Sequence, residues 1–152
     1  GTAYALTEPG EDLAMVINAM GVWGERWLEL TPQHADPLYF LNSWISTYLN
    51  RDALPERHVV VRFDFTDQPP RTSPMWVIFD RHHPEVCRHH PGYEEDLIVK
   101  AESVALAEWH LGRVEWARVV ADGRVTISGM PKLAKALPTW NRRSRWANSG
   151  KA

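Results

Sequence analysis

Two hydrophobic periods divide this chain. As far as Leu49, large apolar residues return every three or four positions, the spacing of one helix face. From Val59 they return every second position, the spacing of one strand face. Leu13, Val16, Ile17, Met20, Trp23, Gly24, Trp27 and Leu28 predict a long amphipathic helix ending near Glu29–Pro32. Thr7 stands where an N-cap belongs. Glu8, Glu11 and Asp12 fall in the first turn, where negative charge suits the helix dipole, and Pro9 is early enough to be tolerated. Thr31–Pro37, with two prolines, reads as a linker. A second helix begins at Asp36 or Pro37 with Leu38, Leu41, Trp44, Ile45, Tyr48 and Leu49 on its apolar face, and it stops before Pro55.

Val59, Val61, Phe63 and Phe65 then alternate with Val60, Arg62, Asp64 and Thr66, which predicts a half-buried strand. Asp67–Pro74 is a turn with three prolines; Met75, Val77 and Phe79 belong to a second strand and Val86–Arg88 to a short third. Pro91-Gly92 signals a turn, and Asp96–Ala101 reads as another strand. Ser103 is placed to cap a helix through Leu111 that Gly112 ends. Val114–Ala121 is a further helix, Arg124–Ser128 the last strand, and Pro131 opens a final helix bearing Leu133, Ala134 and Leu137. The succession predicts an α+β fold: a mostly antiparallel sheet covered by helices and preceded by one long amphipathic helix.

Composition narrows the class. At 152 residues, with 44% apolar, 24% charged and 11% aromatic residues, the chain can bury the core of one domain, which excludes disordered, collagen-like and disulfide-scaffold classes. The apolar runs are far shorter than the roughly 18 residues of a membrane span, so no membrane insertion is expected. Cys87 is the single cysteine, so there is no internal disulfide and no multi-cysteine zinc site. Without a signal-peptide pattern, a reducing, cytoplasmic setting is the expectation. The start at Gly-Thr-Ala rather than Met is what a fragment or processed product would show.

Charge is unevenly spread. Residues 1–56 carry 2 basic and 8 acidic side chains, residues 57–129 carry 9 and 11, and residues 130–152 carry 6 basic and none acidic. Arg142, Arg143, Arg145 and Lys151 can touch phosphates, but a solvated helix end and tail is the simpler reading, and the acidic first third argues against a complete nucleic-acid binder. His82-His83 and His89-His90 bracket Cys87, yet neighbours on a strand point to opposite faces, so solvated turn histidines are expected and no metal. Glu94-Glu95-Asp96 reads as a solvated acidic triplet. No nucleophile elbow, phosphate loop or dinucleotide fingerprint occurs, so neither an enzyme nor a cofactor is expected.

Eight tryptophans raise the odds of a cavity for an apolar ligand. The pocket candidates are Trp76, Phe79, Trp109, Trp116 and Trp140, with Phe63 and Phe65 behind them; plain core is the alternative for each.

Two family resemblances add to this reading. From Val59 to Trp146 the chain resembles the sterol-carrier-protein-like (SCP-2 sterol transfer) family. The likeness lies in Leu111-Gly112-Arg113, Ala117, Ala121-Asp122-Gly123-Arg124-Val125-Thr126-Ile127-Ser128-Gly129, then Leu133-Ala134 and Leu137, together with the order of strands and helices. It implies a hydrophobic pocket for an apolar small molecule or lipid. Tyr4-Ala5-Leu6-Thr7-Glu8-Pro9-Gly10-Glu11-Asp12-Leu13, with the helix through Gly21-Val22-Trp23-Gly24, resembles the end of the wing and the last helix of HxlR-type winged helix-turn-helix regulators.

That second resemblance implies a homodimer made by Leu13, Val16, Met20, Trp23 and Trp27, with packing back onto the same chain as the alternative. DNA binding would belong to the parent protein's missing N-terminal domain. The implied organisation is a truncated winged-helix domain at 1–30, a linker at 31–37, a sterol-carrier-like domain at 38–147 and a tail at 148–152. The implied function is that of a ligand-sensing effector domain of a transcriptional regulator. A lipid carrier without regulatory role and a purely structural dimerisation domain are the alternatives.

Overall fold

The structure, a computed structural model, describes residues 3–147; the tail assigned to 148–152, with Lys151, lies outside them. Helix α1 (Glu8–Trp27) and helix α2 (Pro37–Ser46) come first. Strands β1 (Val59–Phe65), β2 (Met75–Phe79), β3 (Glu85–Cys87) and β4 (Leu97–Ala101) follow. Helices α3 (Ser103–His110) and α4 (Trp116–Ala121), strand β5 (Val125–Gly129) and helix α5 (Pro131–Ala136) complete the chain, with a 3-10 turn over Leu137–Trp140. The sheet order is β3-β2-β1-β4-β5. The β1–β4 pair is parallel and every other pair antiparallel, so the sheet is mostly antiparallel, as expected.

Register explains the core. Val61 faces Val77 on one side and Leu97 on the other, and Phe63 faces Met75 and Val99, so the alternating positions of β1 share one buried face with those of its neighbours. On that face Trp44 of α2 is the hub, its ring meeting Phe63, Phe79 and Trp109 edge-on at centroid distances of 6.2, 5.2 and 5.7 Å. Trp140 packs on Phe79, and the Trp44 indole N–H donates to the Trp140 carbonyl at 3.1 Å. Gly129 ends β5 at φ +123°, where a Cβ would lie 2.2 Å from the Asp96 carbonyl oxygen; no side chain fits there.

The helix ends depart from expectation. Thr7 occupies the N-cap position of α1 but its side chain makes no capping bond, whereas the Asp36 carboxylate accepts the Tyr39 N–H at 2.8 Å and caps α2. Ser103 is the first residue of α3 rather than its cap. The cap comes from 36 residues upstream: Asp67 accepts Ser103 N–H at 2.7 Å, Ser103 Oγ–H at 2.9 Å and Val104 N–H at 3.1 Å. Gln68, beside it, donates to the Pro32 carbonyl and to Ser103 Oγ, tying the linker to the start of α3.

No residue of α1 is buried. One edge does rest on the domain. Gly21 lies so near the Trp146 ring that a Cβ would stand 2.3 Å from it. Arg113 donates to Glu25 Oε1 at 2.9 Å and to the Glu25 and Leu28 carbonyls, satisfying the helix C-terminus with a cation. The apolar stripe beside that edge is largely bare: Leu13, Val16, Met20, Trp23 and Trp27 are 53, 53, 65, 57 and 65% exposed. Packing back onto the same chain therefore accounts for the glycine edge of α1 and not for its apolar stripe.

Candidate functional site

The structure places most of the aromatic residues expected to line a pocket in the core. Phe63, Phe65, Phe79, Trp109 and Trp140 are buried in the core cluster, and half-buried Trp116 sits edge-on against Trp109 at 4.7 Å. Trp76 points to the other side of the sheet, where its indole N–H donates to Glu95 and its ring meets His90. Apart from Trp76, the rings pack between helices and sheet, around Trp44 edge to face, and none of the seven lines either cavity described next.

The first cavity, of about 200 Å³, opens between the linker, α2 and the C-terminal end of α3. Leu30, just before the linker, and His34, Ala35 and Asp36 within it contribute. Helix α2 and the turn after it give Tyr39, Phe40, Ser43 and Tyr48, while Ala107, His110 and Leu111 come from α3 and its C-cap. Ser144 and Trp146 close it from the C-terminal segment. The wall is mainly apolar. Its titratable groups are Asp36, already engaged in capping, the two histidines and the two tyrosines; neither Lys nor Arg belongs to it.

His110 is the half-buried polar group of that wall. Its ring meets Tyr48 at 4.5 Å and Phe40 at 5.8 Å, both edge-on. Nδ1 lies 2.9 Å from Asn141 Oδ1. The same Oδ1 accepts the Arg143 backbone N–H at 2.7 Å, which identifies that atom as the amide oxygen. His110 Nδ1 must then donate, and the neutral ring carries its lone pair on Nε2. Burial pushes the His110 pKa below its ordinary value; the Asn141 hydrogen bond opposes this and the nearby Arg143 charge adds to it.

Arg143 also corrects the reading of the basic tail as solvated. Its guanidinium donates to the Trp109 carbonyl at 2.9 and 2.8 Å and to the Val114 carbonyl at 3.0 Å. Its own backbone takes φ 61° to do so. With Ser144 N–H donating to the His110 carbonyl, the segment is clamped over the end of α3. That clamp seats Trp146 between the first cavity and a second one. The second cavity, of about 290 Å³, lies beneath α1 and is lined by Met20, Gly21, Gly24, Glu25, Leu28, Leu30, Leu111, Arg113 and Trp146. Leu30, Leu111 and Trp146 wall both.

His110 and Trp146 are cavity residues that the aromatic pattern does not single out. The signal for His110 was a lone imidazole in the last turn of an apolar helix just before Gly112; Trp146 stood in a polar tail, with no period to place it. The paired histidines stay in turns: the backbone N–H groups of His82 and His83 donate to Asp80. Among the described residues no cluster of three or more His, Cys, Asp or Glu is placed to hold a metal, and no helix is long and apolar enough to cross a membrane.

No protein-family model matches the chain, and no curated protein matches it significantly. Solved structures do. A double mutant of a sec-alkyl sulfatase matches at TM-score 0.57 and 13% identity over 77% of this chain and 18% of the sulfatase. The ubiquinone synthesis protein UbiJ-SCP2 matches at TM-score 0.46 and 13% identity over 84% and 93% of the two chains. Sterol carrier protein 2-like 2 from Aedes aegypti matches at 0.45 and 10% identity over 71% and 94%. The chain shares its fold with a segment spanning about a fifth of the sulfatase, and at these identities the likeness is one of fold. These three include no transcriptional regulator.

Proposed function

We propose that this chain is a ligand-sensing domain in which an apolar small molecule or lipid occupies the cavity between linker, α2 and α3 and thereby alters the seating of α1. The observation that carries this reading is the shared wall: Trp146, Leu30 and Leu111 line both the cavity and the hollow under α1, and Gly21 rests on the Trp146 ring. A molecule that displaces Trp146 changes the surface on which α1 sits, so occupancy and helix position are thermodynamically linked. The sterol-carrier-like sequence pattern supports an apolar ligand. The HxlR-like pattern over Tyr4–Leu28 supports a regulator in which α1 pairs with a second copy and DNA contacts belong to a winged helix-turn-helix domain of the parent protein.

Native mass spectrometry of the purified chain, followed by a denaturing run, tests this. A dimer that sheds a small apolar adduct on denaturation is the expected result. A bare dimer would replace sensing by scaffolding, the role that the exposed α1 stripe alone would favour. A ligand-laden monomer would make the domain a carrier.

A further inference from the structure

We infer that the ligand is a small neutral amphiphile, roughly ten non-hydrogen atoms in size, whose hydroxyl or comparable donor is received by Nε2 of His110. The inference rests on the proposed role of the first cavity and names the head group that cavity selects. Three observations lead to it. The bond from Arg143 N–H fixes the Asn141 amide, and Asn141 fixes the His110 tautomer, so the free ring nitrogen is an acceptor. Nε2 has no hydrogen-bond partner among the described residues, and His110 belongs to the cavity wall; with Nδ1 turned to Asn141, Nε2 is the ring atom left to receive a guest's donor. The wall holds no Lys or Arg to neutralise a carboxylate, and Asp36 stands in it to repel one.

The charged and titratable groups around the ring agree. Arg143 disfavours a second proton on it, and its guanidinium is turned to the Trp109 and Val114 carbonyls and Glu115 rather than to a ligand. Tyr39 and Tyr48 add only phenol rings and hydroxyls to the wall, and the Nδ1 of His34 lies 3.2 Å from Thr31 Oγ1. An amphiphile with a donor head and an apolar body satisfies Nε2 and covers Phe40, Leu30 and Leu111.

Calorimetric titration of the full chain with 1-octanol and with its isomer 1-methoxyheptane isolates the donor, because the two differ in the O–H and in little else. The alcohol is expected to bind about tenfold more tightly, the worth of one buried hydrogen bond. His110→Phe, which keeps an aromatic ring against Phe40 and Tyr48, is expected to bring the two within about twofold. Ala107→Leu, which narrows the cavity, is expected to weaken both. Equal affinity for the two isomers in the unmodified chain, with both lost in Ala107→Leu, would overturn the head-group inference and leave the cavity as the ligand site. Tighter binding of octanoate than of octanol would overturn a neutral head. No binding of any of the three would overturn the cavity reading and this inference with it.

Discussion

Asp67 replaces what looked like a local cap by a distant one. Ser103 had the right side chain one residue too late, and the turn after β1 brings a carboxylate to the α3 N-terminus instead. Nothing in the spacing of Asp67 and Ser103 announces this, because the contact exists only once β1 and β4 have paired in parallel and placed the two strand ends side by side. Asp67→Ala removes three accepted hydrogen bonds and is expected to cost about 2 kcal/mol and to lower Tm by about 5 °C. Asp67→Asn, keeping one acceptor, should lose about half as much. Thermal melts of the three proteins decide it.

His110 makes a prediction in pH. Its folded pKa lies below the ordinary 6.5, so between the two values the unfolded chain binds the extra proton. Stability is thus full above about pH 6.5 and falls as the pH drops through the window down to the folded pKa. In His110→Phe that part of the acid loss should vanish. Tm measured every half unit from pH 7.5 to 5 would show the flattening. The carboxylates held low by partners, Asp80, Glu95 and Asp96, lose their contribution only below about pH 4.5 and do not confuse the window.

Elements were legible wherever one period ran unbroken. The helix over Glu8–Trp27, the strand over Val59–Phe65 and the helix opened by Pro37 all lie within a few residues of where apolar spacing puts them. Periodicity marks which face is apolar but not what the face meets. On α1 the apolar stripe was visible, while the contacts that dock the helix on the domain are made by Gly21 and Glu25, residues with no hydrophobic signature. Glycine matters there for lack of a Cβ rather than for its dihedral freedom. Gly21→Leu must displace the Trp146 ring or lift α1, and either breaks the seat. The expected outcome is faster proteolysis within residues 28–36 and a red-shifted tryptophan emission, with the sheet domain still folded. Combining it with Trp146→Ala should restore slow cleavage if steric conflict at the ring is the cause.

At the scale of the molecule, the sequence revealed the class of fold and the abundance of aromatic rings, but not how the rings divide between core and cavity. Packing around Trp44 uses up Phe63, Phe79, Trp109 and Trp140, and the first cavity falls at the domain margin, where linker and tail meet α3. That margin also carries α1, whose exposed apolar side chains, Leu13, Val16, Met20, Trp23 and Trp27 among them, form a surface of a kind that monomers rarely leave in water. If a second copy covers the stripe, the chain is a dimer at micromolar concentration. Replacing Trp23 and Trp27 together by Glu should then make it a monomer by light scattering. Because both side chains are more than half exposed in one chain, the double substitution should leave the melting of the sheet domain within a few degrees of the original once dilution has dissociated the parent dimer. A wild-type monomer at tens of micromolar would mean that the stripe belongs to a different partner, and the pairing of α1 with itself would fall.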